Sequence, residues 1–326
     1  MRKVLGYIFA FAVVLVALSC ERRPLIELSD SKYRVEFEFD TLIKNDRIAK
    51  LPEVMNVFFF HNNTKEFESS HFVEQEGGEV YVVPSAYDII TYNFNTESTI
   101  IQNNKDYYAI EATTNEISKF ILAQLQYALE TRASIRTNTF QTKGEATDRV
   151  MNQPDHLFTT VMENIKLEPS ANGIQTIRME TKSIVERWHV EVETIEGVEF
   201  LSEASMLVSG AVSRVSLSTG EKADEKAALF TDLRVSKETG KLYGEFNTFG
   251  MHPLSDDDPQ LLTLILVDRQ GKQYHYHYKM TTGILNLEAQ KIKVVDNIKI
   301  EPPQEGGGGF DPSVNEWNEV ITGIVI

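Results

Sequence analysis

Residues 34–40 read Arg-Val-Glu-Phe-Glu-Phe-Asp, in which polar and apolar residues alternate without a break. Successive side chains of a β-strand point to opposite faces, so the alternation places Val35, Phe37 and Phe39 on one face. Such a pattern is typical of an antiparallel strand with one face in a core and the other in water. The segment therefore predicts a β-sheet protein.

Further strands are predicted on both sides of the middle of the chain. In the first half they are Val54–Phe60, Glu79–Val83 and Tyr87–Phe94. In the second half, Trp188, Val190 and Val192 alternate with polar residues, and a hairpin is predicted from 261–267 and 274–280. Others are expected at 211–218, 241–248 and 291–300, in the rhythm of an antiparallel sandwich.

One helix and one domain boundary interrupt this pattern. Apolar residues recur at helical spacing over Glu116–Glu130, behind a Thr113-x-x-Glu116 capping box. The polar stretch Thr131–Asn152 has no apolar periodicity and predicts the boundary between two domains. We therefore expect domains at 31–150 and 151–300, with residues 301–326 as a linker and terminal strand.

The amino-acid composition argues against nucleic-acid binding and against Cys-rich sites. The 326 residues contain 32 Lys and Arg against 48 Asp and Glu, a formal net charge of −16. Nucleic-acid binding proteins carry a basic surface, so nucleic acid is not an expected partner. A single cysteine excludes an intramolecular disulfide and a Cys-rich metal site.

The N-terminus predicts export and a lipid anchor. A basic head, Met1–Lys3, precedes an apolar run over Val4–Leu18 that is short for a membrane-spanning helix. The only cysteine, Cys20, follows at once, where lipoprotein processing needs a thiol for acylation. Residues 1–19 are thus predicted to be a signal peptide and 20–30 a lipidated tether. Ordinary cleavage after Ser19 and an uncleaved anchor are the alternatives.

The C-terminus has the clearest functional pattern. Two prolines and four glycines make 301–309 a linker that is stiff at its start and flexible at its end. An apolar, β-prone segment follows, which can pair with its own sheet or insert into a groove on a neighbouring subunit. The residues predicted to make these contacts are Trp317, Val320, Ile321, Ile324, Val325 and Ile326.

Other candidate sites have plain structural explanations. His275 and His277 share one strand face and could bind a metal, but the alternating tyrosines predict that this face is simply solvated. Residues 256–258 are three consecutive aspartates without the spacing of a calcium loop. Trp188 could stack on a sugar, but its alternating strand favours a core position. No phosphate-binding or hydrolase motif is present, so neither a catalytic residue nor a cofactor is predicted.

Several segments carry a resemblance to a known family. They read CERRPL at 20–25, VYVVPSAYDI at 80–89 with Asn93 following, PDHLF at 154–158, SGAVSRVSLSTG at 209–220 and GEFNTFG at 244–250, and the stretch 306–317 is similar too. With these segments the chain resembles the fimbrillin-anchoring lipoproteins of type V pili and a related group of surface lipoproteins.

The resemblance implies an all-β protein with two tandem transthyretin-like antiparallel β-sandwich domains. It also implies an outer-membrane, surface-exposed anchor, without enzyme activity, that joins fimbrial shaft or accessory subunits by β-strand complementation. Polymerising subunits of such pili lose a strand by trypsin-like cleavage, and Arg47 is the corresponding candidate here. Cleavage there would separate Cys20 from the body, so we expect Arg47 to stay intact. A stand-alone adhesin or glycan-binding lipoprotein is the first alternative, and a surface hydrolase is the second.

Overall fold

The computed structural model describes residues 33–42, 51–94, 96–118, 149–168, 174–255 and 259–302. Within them the fold is built of strands, with one short 3-10 helix at Val198–Phe200. The strands are β1 Tyr33–Leu42, β2 Val54–His61, β3 Phe67–Glu74, β4 Gly77–Val82, β5 Ala86–Asn93, β6 Thr99–Gln102, β7 Glu111–Thr114, β8 Arg149–Met151, β9 Phe158–Lys166, β10 Ile174–Ser183, β11 Glu186–Glu196, β12 Leu201–Val212, β13 Arg214–Ser216, β14 Lys226–Asp232, β15 Arg234–Ser236, β16 Lys241–Thr248, β17 Leu261–Asp268, β18 Gln273–Lys279, β19 Leu285–Asn286 and β20 Lys291–Lys299. The all-β class predicted from the sequence is confirmed.

The first part of the chain forms a closed barrel. Its strands follow the order β1-β10-β9-β5-β2-β3-β4, and β4 returns to β1. The alternation in β1 has the predicted effect, since Val35 and Phe37 are buried in the barrel while Glu38 is exposed. Phe37 packs edge-on against Phe59 of β2, with ring centroids 5.9 Å apart.

Strand β1 closes this barrel. It pairs antiparallel with β4 from Tyr33 to Glu38 and parallel with β10 from Arg34 to Leu42. By contrast, β9 and β10 pair directly only at Lys182 and Ser183. The first unit is thus a barrel that contains one parallel pair, where the family resemblance implied an antiparallel sandwich.

The two ends of the barrel have different connections. Tyr33, where β1 begins, lies opposite Val82 at one end. Leu42, where β1 ends, lies opposite Lys182 of β10 at the other end. Strand β10 ends at Ser183, and the chain then continues from this end of the barrel into β11. The start of β1 and the exit to the second half of the chain are therefore at opposite ends of the barrel.

The second part is a sandwich of two five-stranded sheets. One has the order β15-β16-β11-β20-β19 and the other β18-β17-β12-β14-β8. Trp188 of β11 is 1% exposed and stacks on Phe246 of β16, with centroids 6.2 Å apart. The core position predicted for Trp188 is confirmed, as is the antiparallel β17–β18 hairpin.

A third element joins the barrel to the sandwich. Strands β6 and β7 form a small sheet with β13, which belongs to the second half of the sequence. Phe58 and Phe60, on the outside of the barrel, share a buried cluster with Tyr107 and with Val215 and Phe249. The two halves are therefore packed on a common core.

The domain limits at 31–150 and 151–300 remain a prediction. The sheets cross that division, because β9 and β10 follow residue 150 and yet complete the barrel. The predicted helix does not begin where the sequence placed it. Thr113 lies in β7, and Glu116 forms an isolated bridge with Met151. The remainder of that helix, from residue 119, is outside the described residues.

Candidate functional site

One edge of the sandwich is open at the point where the described chain ends. Strand β20 pairs along its length with β11 on one side. On its other side, β19 reaches only Lys291 and Ile292, and the N–H of Lys293 donates to the Ile284 carbonyl at 2.9 Å. Within the described chain, no strand covers residues 294–299 on that side. We call this stretch the open edge of β20; Ile300, Glu301 and Pro302 follow it.

Strand β18 forms the corresponding edge of the facing sheet. Its three tyrosines, Tyr274, Tyr276 and Tyr278, are half-buried and pack against the sandwich core, as the alternation predicted. The Tyr278 hydroxyl donates to Asp296 Oδ2 at 2.9 Å, and the Tyr276 hydroxyl donates to the Lys299 carbonyl at 3.4 Å. Both tyrosines therefore bridge from β18 to the open edge of β20.

These hydroxyls remain protonated at neutral pH. Burial raises the pKa of Tyr278, and the carboxylate of Asp296, which accepts its hydrogen bond, raises it further. Burial also raises the pKa of Tyr276, together with nearby Tyr274 and Asp296. Both side chains are thus hydrogen-bond donors over the physiological range.

The outer face beside the open edge carries paired charges. Glu191 of β11 accepts hydrogen bonds from Lys291 at 2.6 Å and from Lys241 at 2.9 Å. These two bonds lower the pKa of Glu191 to about 2. Val295 lies on the same outer face, four residues after Lys291 on β20, and is 64% exposed. The face is therefore polar and internally neutralised, with one exposed apolar side chain beside the open edge.

The histidines of β18 do not form a metal site in the described chain. His277 Nδ1 lies 3.0 Å from Thr263 Oγ1, and His275 Nε2 lies 3.3 Å from Gln273 Oε1. No group of three or more metal-binding side chains occurs among the described residues. Both histidines are half-buried, so this face is less solvated than predicted. The same burial lowers the pKa of His275. Residues 256–258 lie outside the described residues.

An exposed aromatic pair lies on the barrel. Phe72 of β3 and Phe94, which follows β5, are 58% and 59% exposed. Their ring centroids are 5.0 Å apart, and the ring planes are inclined by 71°. Two exposed rings at this angle form a corner, with a ring face available on each side.

The segments that carried the family resemblance meet where the barrel joins the sandwich. Asn247 donates from Nδ2 to the Pro154 carbonyl at 3.1 Å, and its own N–H donates to Gln153 Oε1 at 3.1 Å. Asn93 binds the backbone of His156 and Phe158, at 3.1 and 2.7 Å. Asn247 thus connects the sandwich to the segment that leads into β9, and Asn93 connects β5 to the same segment, so these signature residues have a structural role.

The residues that the sequence assigned to function lie outside the described residues. They are Cys20, Arg47, Trp317, Val320, Ile321, Ile324, Val325 and Ile326. In the described part of the chain, no helix has the length and apolar character needed to cross a membrane. Sequence analysis missed the bonds of Tyr276 and Tyr278 to β20, since alternation predicts the side of a strand but not the partner.

A family model and a named relative each match more than half of this chain. A family model described as a domain of unknown function, DUF5119, matches residues 19–232. A Bacteroides ovatus protein named as a candidate fimbrium anchoring subunit, Fim4B, is 21% identical over 348 residues, covering 96% of this chain and 95% of that protein. The predicted resemblance to fimbrial anchoring proteins is confirmed by this relative.

Solved structures share the fold. A structure described as a candidate adhesin from Bacteroides ovatus is 18% identical, with a TM-score of 0.61, over 84% of this chain and 94% of that chain. The fimbrial anchor protein Mfa2 from Porphyromonas gingivalis is 11% identical and covers 81% of this chain and 90% of its own. Its TM-score is 0.47.

Proposed function

The chain belongs to the DUF5119 family, and from that premise we propose that it is a fimbrial anchor or accessory subunit without enzyme activity. The proposal is supported by the relative Fim4B, whose name describes fimbrium anchoring and whose match extends over 96% of this chain. It is also supported by the all-β fold, in which the signature residues serve packing and connection.

We propose that Cys20 carries the lipid that holds the protein on the outer membrane. The tether would then enter β1 at the end of the barrel remote from the exit to β11. The barrel would lie next to the membrane, and the sandwich with its open edge would be carried away from it. Two or more acyl chains hold a protein on a bilayer durably, because each buried methylene contributes about 0.8 kcal/mol. We further propose that the barrel and sandwich are the two tandem transthyretin-like units.

We propose that fimbrial subunits are joined by strand complementation through Trp317 and the segment 320–326. The observation that carries this proposal is the open edge of β20. An unpaired strand edge is a template for another strand, and natural proteins leave one uncovered only when it is short, charged or used. The chain leaves the described fold at this edge and continues into an apolar segment suited to pair with an edge of this kind.

A second candidate function is supported by the aromatic corner of Phe72 and Phe94. Exposed ring faces of this kind can stack on sugar rings, as a stand-alone adhesin or glycan-binding lipoprotein would require. Replacing both phenylalanines by alanine would abolish glycan capture in that case. The same double variant would leave a fimbrial anchor with all its protein partners.

The two functions are separated by a cross-linked pull-down from cells. The chain is tagged within residues 131–152 and compared with the same chain truncated after Pro303. We expect fimbrial subunits to be retained by the full chain and lost on truncation. Partners that survive truncation would contradict the terminal-strand mechanism, and the absence of any fimbrial partner would contradict the anchor function.

The lipid is tested separately by Cys20→Ser. We expect this variant to leave the membrane fraction, while the unmodified chain remains in it. A Cys20→Ser protein that stays in the membrane fraction would show that another feature holds it there.

A further inference from the structure

We propose that the hydrogen bonds of Tyr276 and Tyr278 guard the open edge of β20, and that this edge holds the C-terminal segment 310–326 of the same chain until a fimbrial subunit takes that segment up. The inference rests on the proposed strand complementation and adds the residues that control it. It assigns a role to two side chains whose hydroxyl groups leave their own sheet to bind the facing one.

The guard bonds lie beyond the part of β20 that β19 covers. Pairing with β19 stops at Ile292, whereas Tyr278 binds Asp296 and Tyr276 binds the backbone carbonyl of Lys299. A strand added here needs backbone acceptors on β20, so the Tyr276 hydroxyl competes directly for one of them. The hydrogen bond from Tyr278 to the Asp296 carboxylate, at 2.9 Å, is stronger than the bond from Tyr276 to the Lys299 carbonyl, at 3.4 Å. It is shorter, and its acceptor is charged.

A bulge adds to this protection. The pairing of β20 with β11 shifts register after Val295, so that Ile298 is the next paired residue. Within the bulge, the N–H of Asn297 donates to Asp296 Oδ1 at 2.8 Å. Asp296 thus accepts from both Asn297 and Tyr278. Bulges and local side-chain bonds are common means of blunting an exposed strand edge.

The C-terminal segment is the occupant that the chain itself supplies. Residues 303–326 follow Pro302. Residues 301–309, at up to about 3.3 Å each, can span roughly 30 Å, which equals the length of β20 and allows the chain to turn back along it. A segment held by so short a linker has an effective concentration of about millimolar, which favours pairing within one chain. Its residues 320–326 carry no charge and match the exposed Val295.

The test uses the chain truncated after Pro303, with and without the substitutions below, and a fluorescent synthetic peptide of residues 310–326. Truncation keeps all the described strands and removes the chain's own segment, which would otherwise compete with the peptide for the edge. Capture of the peptide is compared for the unmodified sequence, for Tyr278→Phe alone, for Tyr276→Phe with Tyr278→Phe, and for Asp296→Asn. Tyr274→Phe is the matched control, because Tyr274 lies on the same face of β18 but binds Asp268 in its own hairpin, at 3.3 Å. Hydrogen exchange of residues 294–299 locates the captured peptide.

Removal of the guard should speed peptide capture about fivefold or more, the factor expected for one net hydrogen bond. Tyr278→Phe alone and Asp296→Asn should give most of this increase, and Tyr274→Phe should give none. If the double variant captured the peptide no faster than the unmodified chain, the protective role of the two tyrosines would be contradicted. Capture of a strand by β20 would still be supported. If neither captured it, with no slowing of exchange at 294–299, both the guard and the terminal-strand mechanism would be wrong.

Discussion

Thr99 and Asp155 are joined by reciprocal hydrogen bonds across 56 residues of sequence. The N–H of Asp155 donates to Thr99 Oγ1 at 2.8 Å, and the N–H of Thr99 donates back to Asp155 Oδ2 at 3.1 Å. The same carboxylate oxygen also accepts the N–H groups of Glu97 at 2.8 Å and Ser98 at 2.6 Å. One side chain therefore fixes the loop that leads from the barrel into β6.

Replacement of Asp155 by alanine should lower the free energy of unfolding by about 2–3 kcal/mol. The loop would lose a charged acceptor, and three backbone N–H groups would be left without their partner. Urea denaturation followed by circular dichroism measures the change. Glu97→Ala is the control, because the Glu97 side chain is exposed, and its effect should stay within about 0.5 kcal/mol.

Asp155 should also make stability depend on acid pH. Burial alone would raise its pKa, but the hydrogen bonds from Ser98, Thr99 and Glu97 outweigh burial and lower the pKa below the usual value. A lowered folded pKa means that the stabilisation is present above the unfolded value, about 3.9, and is lost as pH falls through the folded pKa. Unfolding free energies at pH 7 and pH 3 should therefore differ less in Asp155→Asn than in the unmodified chain. An equal pH dependence in both proteins would contradict the assignment.

Two glycines with similar backbone angles should respond differently to alanine. Gly210, with φ +83°, lies in a bulge of β12, and an added Cβ would fall 2.3 Å from Gln260 Cδ. Gly220, with φ +73°, has no atom within 4 Å of such a Cβ. Gly220→Ala should cost about 1–2 kcal/mol from backbone strain alone. Gly210→Ala should cost roughly 2 kcal/mol more, because Gln260 must release the carbonyls of His252 and Pro253.

The closing strand of the barrel should be sensitive to truncation of its buried ring. Phe37→Ala should lower unfolding stability by about 3–5 kcal/mol, since Phe37 is 1% exposed and fills the barrel core. Phe72→Ala, at a phenylalanine that is 58% exposed, should cost less than about 1 kcal/mol. Similar losses for the two variants, measured by thermal and urea unfolding, would show that β1 is not held by its core face.

Period-two alternation predicted the strands with one buried face. It placed β1 and β11 correctly, because burial on one face leaves a direct trace in residue order. Strands β5 and β17 were also predicted, but both are buried on their two faces, and β17 was predicted from a continuous apolar run. Strand β3 was not predicted, since Phe67–Glu74 has polar or exposed residues on both faces, with only Val73 buried. The helical spacing from Glu116 predicted the start of the helix wrongly. Thr113 lies in β7 and Glu116 pairs with Met151, because strand pairing outweighs the local preference for helix there.

Long-range pairing could not be predicted from the sequence. The parallel partner of β1 lies about 140 residues away, at Ile174–Ser183, and nothing in either segment specifies the other. The candidate site shows the same limit. Alternation predicted that Tyr276 and Tyr278 face inward, but the partners Asp296 and Lys299 follow from how two separate sheets pack.

The direction of β1 has a mechanical consequence. Tyr33 and Leu42 lie at opposite ends of the barrel, and the chain leaves for the sandwich from the Leu42 end. Tension between the residues before Tyr33 and the sandwich would therefore act along β1. Its hydrogen bonds to β4 and β10 would then be stretched together in shear, whereas a strand pulled sideways loses its bonds one at a time. The strand that closes the barrel is thus oriented to resist a pulling force.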